Sequence, residues 1–148
     1  HVVAFNIVGP EDHFTSQTHF QKQMAIIDRL WQQNQQLNIT LHGGELTQQF
    51  ASPQDLKDRI KLTIQKGHCK RLGHGVSITE EENALLVLQE MKSKRIADEV
   101  CLSSNEKILN VKGKEHPLHT YLKYKVPVVL GSDDCGVNRA DLCEEFFL

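Results

Sequence analysis

Four short polar clusters contain the residues of this sequence that are best suited to metal binding and proton transfer. They are His42-Gly43-Gly44-Glu45, Gly73-His74-Gly75, Ser103-Ser104-Asn105 and Ser132-Asp133-Asp134. Histidine and aspartate are common ligands of first-row metals, and a glutamate beside a metal can move protons. Each cluster alone has an ordinary structural explanation, because segments rich in Gly, Ser and Asp frequently form turns or helix caps. A shared site therefore requires a fold that brings the four clusters together.

A strand-like apolar segment precedes each of these clusters, and a further one begins the chain. The five segments cover residues 2–8, 37–41, 71–73, 99–102 and 126–130. Their spacing of about 30 residues is typical of βαβ units, so the sequence predicts an α/β fold with parallel strands. A doubly wound sheet and a (βα)8 barrel both have this pattern. Polar side chains at the carboxyl ends of successive strands favour the barrel.

Between the predicted strands, apolar residues recur at the three- and four-residue spacing of amphipathic helices. The stripes are Phe20-Met24-Ile27-Trp31, Leu56-Ile60-Ile64 and Leu85-Leu88-Met91. The second helix is predicted to begin at Pro53 after an N-cap at Ser52, and the third with a capping box over residues 79–82. A shorter helix is predicted over residues 116–124, and a last one after Asn138. Because no linker interrupts these elements, we predict one domain over residues 1–148.

Composition and charge narrow the classes of function. The net charge is −2 with neutral histidines, which gives no general basic field for nucleic acid. No apolar run approaches the ~20 residues needed to span a bilayer, so no membrane partner is expected. The four cysteines form no C-x-x-C pair, which argues against a zinc ribbon or a thioredoxin-type site. Reduced thiols in a cytoplasmic protein are the expected state.

Taken together and in order, the motifs resemble those of the adenosine deaminase family. Residues 42–45 (HGGE) resemble the family's H-A-G-E, and residues 71–75 (RLGHG) its R-I-G-H-G. Residues 99–105 (EVCLSSN) are similar to E-x-C-P-x-S-N, His116-Pro117 to the following H-P, and residues 132–134 (SDD) to S/T-D-D-P. Residues 6–12 (NIVGPED) are similar to the family's D-L-x-G-x-E strand end. The resemblance implies a metal-dependent purine deaminase of the amidohydrolase type, with a partial (βα)8 TIM barrel that contains about the last five βα units.

The reaction implied by this resemblance is the zinc-dependent hydrolysis of adenosine, or a related 6-aminopurine, to inosine and ammonia. In it, zinc-bound hydroxide attacks C6 of the purine, because Zn²⁺ makes hydroxide available at neutral pH. By the resemblance, His42 and Asp133 would bind Zn²⁺, and Asp133 would also contact the attacking water. Glu45 would protonate ring nitrogen N1. His74 would orient the water and help to deprotonate it.

The resemblance also implies how a purine nucleoside would be bound. The backbone N–H of Gly9 would donate to ring nitrogen N3, and Asp134 would hydrogen-bond to N7. Three positions depart from the family's pattern: Gly43 stands in place of Ala, and Leu102 and Cys135 each stand in place of Pro. These are turn positions or positions beside the site, so they bear on the identity of the purine more than on the chemistry.

The family's H-x-H pair, which supplies two further zinc ligands, does not occur in this sequence. We therefore expect the chain to be the C-terminal portion of a deaminase barrel that lacks its N-terminal half. Alone, it should be inactive, since catalytic zinc normally takes three protein ligands. Open strand edges would favour its self-association. Alternative hypotheses are an adenine or modified-AMP deaminase of the same hydrolase group and a secreted deaminase-like growth factor.

Overall fold

A five-stranded sheet organises the protein, whose computed structural model describes residues 2–148. The strands are β1 (Phe5–Ile7), β2 (Ile39–Gly43), β3 (Arg71–His74), β4 (Ala97–Val100) and β5 (Val128–Leu130). All neighbouring strands are parallel, and their order in the sheet is the order of the chain. A doubly wound sheet reverses its strand order at a switch point, and this sheet does not, so the topology is that of a partial (βα)8 barrel.

Helices connect the consecutive strands and cover the sheet. They are α1 (Phe14–Thr18), α2 (Phe20–Gln33), α3 (Pro53–Leu56), α4 (Arg59–Gln65), α5 (Ala84–Lys94), α6 (Leu102–Leu109), α7 (Leu118–Lys123), α8 (Cys135–Asn138) and α9 (Leu142–Glu145). Two 3-10 turns, Val76–Glu80 and Gly113–Glu115, lie before α5 and α7. None of the helices within residues 2–148 has both the length and the hydrophobicity needed to cross a membrane.

The main hydrophobic core lies between the sheet and the helices that follow the first three strands. Ile27 of α2, Ile60 of α4 and Met91 of α5 are buried in one cluster with Leu41 of β2 and Leu72 of β3. Burial of an Ile, Leu or Met side chain contributes about 1.5–3 kcal/mol, so this cluster holds the helices against the strands. The predicted apolar stripes around Ile27 and Ile60 are thus confirmed as core faces.

The second predicted helix is correct in its start and wrong in its continuity. Pro53 begins α3, and the Ser52 hydroxyl accepts a hydrogen bond from the Asp55 N–H at 3.3 Å. At Asp58 the backbone leaves the helical region, with φ −141° and ψ 15°, and α4 then begins. The predicted stripe is divided at this break: Ile60 and Ile64 of α4 belong to the main core, whereas Leu56 of α3 packs in a second, smaller cluster with Leu46, Val76 and Leu109.

The capping box predicted over residues 79–82 is wrong. Residues 79 and 80 belong to the 3-10 turn, and α5 begins only at Ala84. The Glu81 carboxylate instead accepts hydrogen bonds from the N–H groups of Ile60 at 2.5 Å and Lys61 at 3.3 Å. It therefore caps the first turn of α4, whose N–H groups have no partner within that helix. Leu85, predicted to be in the core, is 55% exposed.

Boundaries after the fourth strand also differ from the prediction. Strand β4 ends at Val100, two residues before the predicted end, and residues 103–105 lie in α6 rather than in a strand-end loop. The predicted helix over residues 116–124 is confirmed in shorter form as α7. After Asn138 the predicted final helix is the short α9, and α8 before it was not predicted.

Strands β1 and β5 form the two edges of the sheet. Both carry exposed apolar side chains, including Phe5, Ile7 and Val129. Unpaired strand edges with apolar side chains are surfaces on which further strands can pair. The two edges are consistent with a sheet that forms part of a closed barrel.

Candidate active site

A cavity of about 460 Å³ opens at the carboxyl ends of the strands. It is lined by all six residues to which the motifs assign a role: Gly9, His42, Glu45, His74, Asp133 and Asp134. Its volume lies within the range of small-molecule sites, about 300–1,000 Å³. Residues from four distant segments meet here because the carboxyl ends of parallel strands lie on the same side of the sheet.

The register of β2 and β3 places the two histidines of the site side by side. His42 lies opposite Gly73, and Gly43 opposite His74. The imidazole rings of His42 and His74 are nearly perpendicular, with centroids 4.7 Å apart. Burial lowers the pKa of both histidines, and for His42 the neighbouring His74 lowers it further. Both rings are therefore neutral at physiological pH, the form in which a ring nitrogen can bind a metal.

Glu45 follows β2 and projects into the same cavity, where its carboxylate lies 3.9 Å from Nε2 of His74. Burial raises the pKa of Glu45 above its usual value, and the negative charge of Asp133 raises it further, against a lowering effect of His42. A carboxyl group with a raised pKa keeps its proton closer to neutral pH. Glu45 is thus suited to act as a general acid.

The turn after β3 aims the His74 side chain by an unusual backbone conformation. His74 has φ +72°, in the left-handed region that costs a non-glycine residue roughly 1–2 kcal/mol. Gly75 follows with φ +53°, and a Cβ atom there would lie 2.3 Å from both Asp98 Oδ1 and the Tyr121 hydroxyl. Only glycine fits this position, which explains the Gly on the carboxyl side of His74.

The adjacent aspartates after β5 have different surroundings. Asp133 has φ +51°, and its Oδ2 accepts a hydrogen bond from the Ser104 hydroxyl of α6 at 2.8 Å. Asp134 occupies the N-cap position of α8, but its side chain caps no backbone N–H. The ordinary interpretation of this pair as a helix cap is therefore wrong for Asp134. Its carboxylate stays available to the cavity that it lines.

Two overlapping groups of side chains have the chemistry of a metal site. The first is His42, Glu45 and His74, and the second is His74, Cys101 and Asp133; within each, the candidate ligand atoms lie within 4.8 Å of one another. Imidazole, carboxylate and thiolate are the ligands that zinc takes in proteins, so the donor set fits Zn²⁺. The predicted ligands His42 and Asp133 line one cavity but belong to different groups. Burial raises the pKa of Cys101 to about 12, which keeps it a thiol in the absence of a metal.

A buried ion pair that the sequence did not predict ties together two sides of the cavity. Glu11 Oε1 accepts a hydrogen bond from the backbone N–H of Glu45 at 3.2 Å, and Glu11 Oε2 lies 3.4 Å from Arg59 Nε. The Arg59 guanidinium also donates to the Ser16 carbonyl and lies 3.8 Å from the centroid of the Phe20 ring. Glu11 follows the Gly9 segment, so this pair connects that segment with the Glu45 backbone. The NIVGPED motif pointed to Glu11 without a role, whereas nothing in the local sequence pointed to Arg59.

Loss of the Arg59 charge should destabilise the protein strongly. We expect Arg59→Met to lower the free energy of unfolding by about 3–5 kcal/mol, because the buried Glu11 carboxylate would lose its counter-ion. Lys94→Met is the control, since Lys94 pairs with Glu90 at 2.6 Å on the surface. Such exposed helix pairs contribute only about 0.3–0.5 kcal/mol. Urea unfolding of both variants measures the difference, and equal losses would contradict the structural role of Arg59.

Comparison with known proteins gives a family match over the whole sequence. A family model described as adenosine deaminase matches residues 1–148. A probable adenosine deaminase of Dictyostelium discoideum is 31% identical over 149 residues, which cover 99% of this chain and 17% of that protein. An adenosine deaminase of Salmonella dublin is 33% identical over 110 residues, which cover 74% of this chain and 30% of that protein. The chain thus spans less than a third of the length of these relatives.

Solved structures of deaminases have a similar fold. The adenine deaminase of Arthrobacter aurescens matches 99% of this chain and 40% of its own, with a TM-score of 0.70 and 19% identity. The N6-methyl-AMP deaminase of Arabidopsis thaliana, in its apo form, matches 80% of this chain and 31% of its own, with a TM-score of 0.58 and 26% identity. The partial coverage of both structures agrees with a sheet that is one part of a barrel.

Proposed function

Because this chain belongs to the adenosine deaminase family, we propose that the protein containing it hydrolyses adenosine, or a related 6-aminopurine, to inosine and ammonia with Zn²⁺ as cofactor. One observation carries the proposal: the six residues assigned by the motifs, drawn from four segments of the chain, line a single cavity. A lone motif has an ordinary structural explanation, but such convergence has a functional one.

Zinc, when bound, would supply the Lewis acidity that makes water nucleophilic at neutral pH. In this proposal His42 offers the lone pair of an imidazole that burial keeps neutral. Asp133 offers its carboxylate, which the hydrogen bond from Ser104 holds in place. Further ligands would come from the part of the barrel that lies outside this chain.

Two other polar groups of the cavity would orient the attacking water and protonate the purine. Glu45 would donate its proton to ring nitrogen N1, which relieves the negative charge that develops on the ring as water adds to C6. Its partly buried position supports this role, because burial favours the protonated carboxyl. His74, 3.9 Å from Glu45, would orient the attacking water.

The rest of the cavity suits a flat, partly polar ring. Gly9 would donate its backbone N–H to N3, and the Asp134 carboxyl group would hydrogen-bond to N7. Apolar side chains line the wall between these polar groups and can pack against a purine: Leu46, Phe50, Ile108 and Leu109. Pockets that combine apolar walls with a few directed polar groups are typical of small-molecule sites.

The direct test is release of the 6-amino group by the full-length protein with stoichiometric zinc, measured as ammonia, or as methylamine where the substrate is N6-methylated. Adenosine, adenine and N6-methyl-AMP should be compared as substrates, because the structural neighbours include deaminases of the last two. We expect the highest kcat/KM with adenosine. Faster turnover of adenine or N6-methyl-AMP would favour the corresponding alternative. Absence of ammonia from adenosine and adenine, together with absence of methylamine from N6-methyl-AMP, would contradict the proposal.

We further propose that residues 1–148 alone do not deaminate adenosine. The sheet has two open edges with exposed apolar side chains. Only two residues of the cavity, His42 and Asp133, are assigned as zinc ligands, whereas catalytic zinc normally takes three. The isolated chain should bind zinc substoichiometrically and should associate through its edges. Ammonia assays, elemental analysis and light scattering test this. A monomer with one tightly bound zinc and normal turnover would contradict it.

A further inference from the structure

Three buried polar side chains behind the cavity form a continuous row of hydrogen bonds that ends on His74. His116 Nε2 lies 3.0 Å from Asn105 Oδ1, and Asn105 Nδ2 lies 3.3 Å from His74 Nδ1. His116, Asn105 and His74 are each no more than 2% exposed. Water therefore does not compete for these hydrogen bonds, and each buried polar group must find its hydrogen-bond partner in the neighbouring side chain.

A backbone N–H at the His116 end determines which groups of this row donate and which accept. The N–H of Leu118, the first residue of α7, donates to Nδ1 of His116 at 3.1 Å. A backbone N–H can only donate, so Nδ1 of His116 has no proton, and the proton of this neutral ring is on Nε2. Burial lowers the pKa of His116 to about 4, which keeps the ring neutral.

The side-chain amide of Asn105 extends this order of donors and acceptors to His74 in the active site. The Nε2–H of His116 donates to Oδ1 of Asn105, which fixes the amide with its NH₂ group toward His74. That NH₂ group donates to Nδ1 of His74, so Nδ1 is an acceptor without a proton. A neutral His74 then has its proton on Nε2, the nitrogen that faces Glu45 and the cavity.

We propose that Asn105 and His116 are positioning residues that hold His74 as the Nε2–H tautomer, so that His74 acts on the attacking water as a hydrogen-bond donor and not as a base. This deepens the proposed function and rests on it for the identity of the reaction. Once the water has lost a proton, the Nε2–H would occupy one lone pair of the oxygen and leave another directed at C6. Because His74 would then neither gain nor lose a proton, the proton lost by the water would go to a carboxylate of the cavity, and a candidate ligand atom of Asp133 lies within 4.8 Å of one of His74.

Asn105→Asp in the full-length enzyme tests the proposal directly. A carboxylate at this position can only accept, so it would draw a proton to Nδ1 of His74 and leave the ring in the wrong form. We expect kcat to fall about 10²-fold with little change in KM, since misplacing a reacting group costs about this much. In protein labelled with ¹⁵N-histidine, the Nδ1 signal of His74 should change from that of an unprotonated to that of a protonated nitrogen.

Three further variants separate positioning from a loss of structure. His116→Gln keeps an N–H donor toward Asn105 and should retain the Nε2–H tautomer and most of the activity. His116→Leu removes that donor, and it should lose the single tautomer and lower kcat. Tyr121→Phe removes a different buried hydrogen bond, the one to the Gly75 carbonyl at 2.7 Å, and should leave the His74 tautomer unchanged.

The spectroscopic readout distinguishes failure of this proposal from failure of the proposed function. A protonated Nδ1 on His74 in the wild-type protein would overturn it, as would an unchanged tautomer and kcat in Asn105→Asp. Equal loss of activity in His116→Gln and His116→Leu would also count against it. A wild-type protein with the Nε2–H tautomer but no ammonia release would support the row of hydrogen bonds and contradict only the deaminase function.

Discussion

Replacing Glu45 by glutamine should lower kcat of the full-length enzyme by about 10²–10⁴-fold and leave zinc bound. The amide has nearly the shape of the carboxyl group but cannot give a proton to N1. Metal binding should survive because the proposed ligands are His42 and Asp133, whereas the proposed role of Glu45 is to protonate the purine ring. Steady-state kinetics with adenosine and elemental analysis of zinc on the same preparation measure both effects.

The pH dependence gives a second signature of the same group. Burial raises the pKa of Glu45, so the carboxyl keeps its proton to a higher pH than usual and loses it as the pH rises through that value. In the wild-type enzyme kcat/KM should fall as the pH rises through the pKa of Glu45. The pH profile of Glu45→Gln should lack this fall. The control is Glu106→Gln on the surface of α6, which removes a pairing with Lys112 at 3.3 Å and should leave kcat unchanged. Near-wild-type turnover of Glu45→Gln would contradict the assigned role.

The sequence was sufficient to predict that five parallel strands exist and in which order, and it placed reactive residues correctly at the ends of β2, β3 and β5, but not at the end of β4. β3 is weak in strand propensity, yet the repeat spacing predicted it at residues 71–73, one residue short of its observed end at His74. The same spacing predicted that the segments around Gly9, His42, His74 and Asp133 meet, because parallel strands end at one edge. Spacing and strand-end residues therefore predicted the parallel barrel-like topology and the six assigned residues of the cavity, but not its apolar wall.

Contacts between distant segments were not predictable in this way. Glu81 caps α4 from 21 residues away, so the capping pattern in its own segment was misleading. Glu11 and Arg59 lie on different βα units, and neither residue's neighbours in the sequence indicate the pair. The row from His116 to His74 depends on the register of α6 and α7 against β3. Each is a tertiary arrangement that satisfies a buried polar group, a requirement that local patterns do not encode.

Removing the two adjacent aspartates one at a time should have different effects on zinc occupancy. Asp133→Ala in the full-length protein should lower zinc occupancy strongly, because it deletes a carboxylate that lies with His74 and Cys101 in a group of candidate ligand atoms. Asp134→Ala should keep the metal and weaken the binding of the purine, because the Asp134 side chain lines the cavity and caps no helix. Elemental analysis gives the zinc content, and KM with adenosine gives the second effect.

A third variant connects the first two through the hydrogen bond that orients Asp133. Ser104→Ala removes the donor to Asp133 Oδ2 and keeps the ligand itself. Loss of such a supporting bond typically lowers metal affinity by about 10–100-fold, so the zinc dissociation constant should lie between those of the wild type and Asp133→Ala. Competition with a chelator measures the series. Equal metal loss in Asp133→Ala and Asp134→Ala would mean that the two carboxylates share the metal, and the division of roles between them would then be wrong.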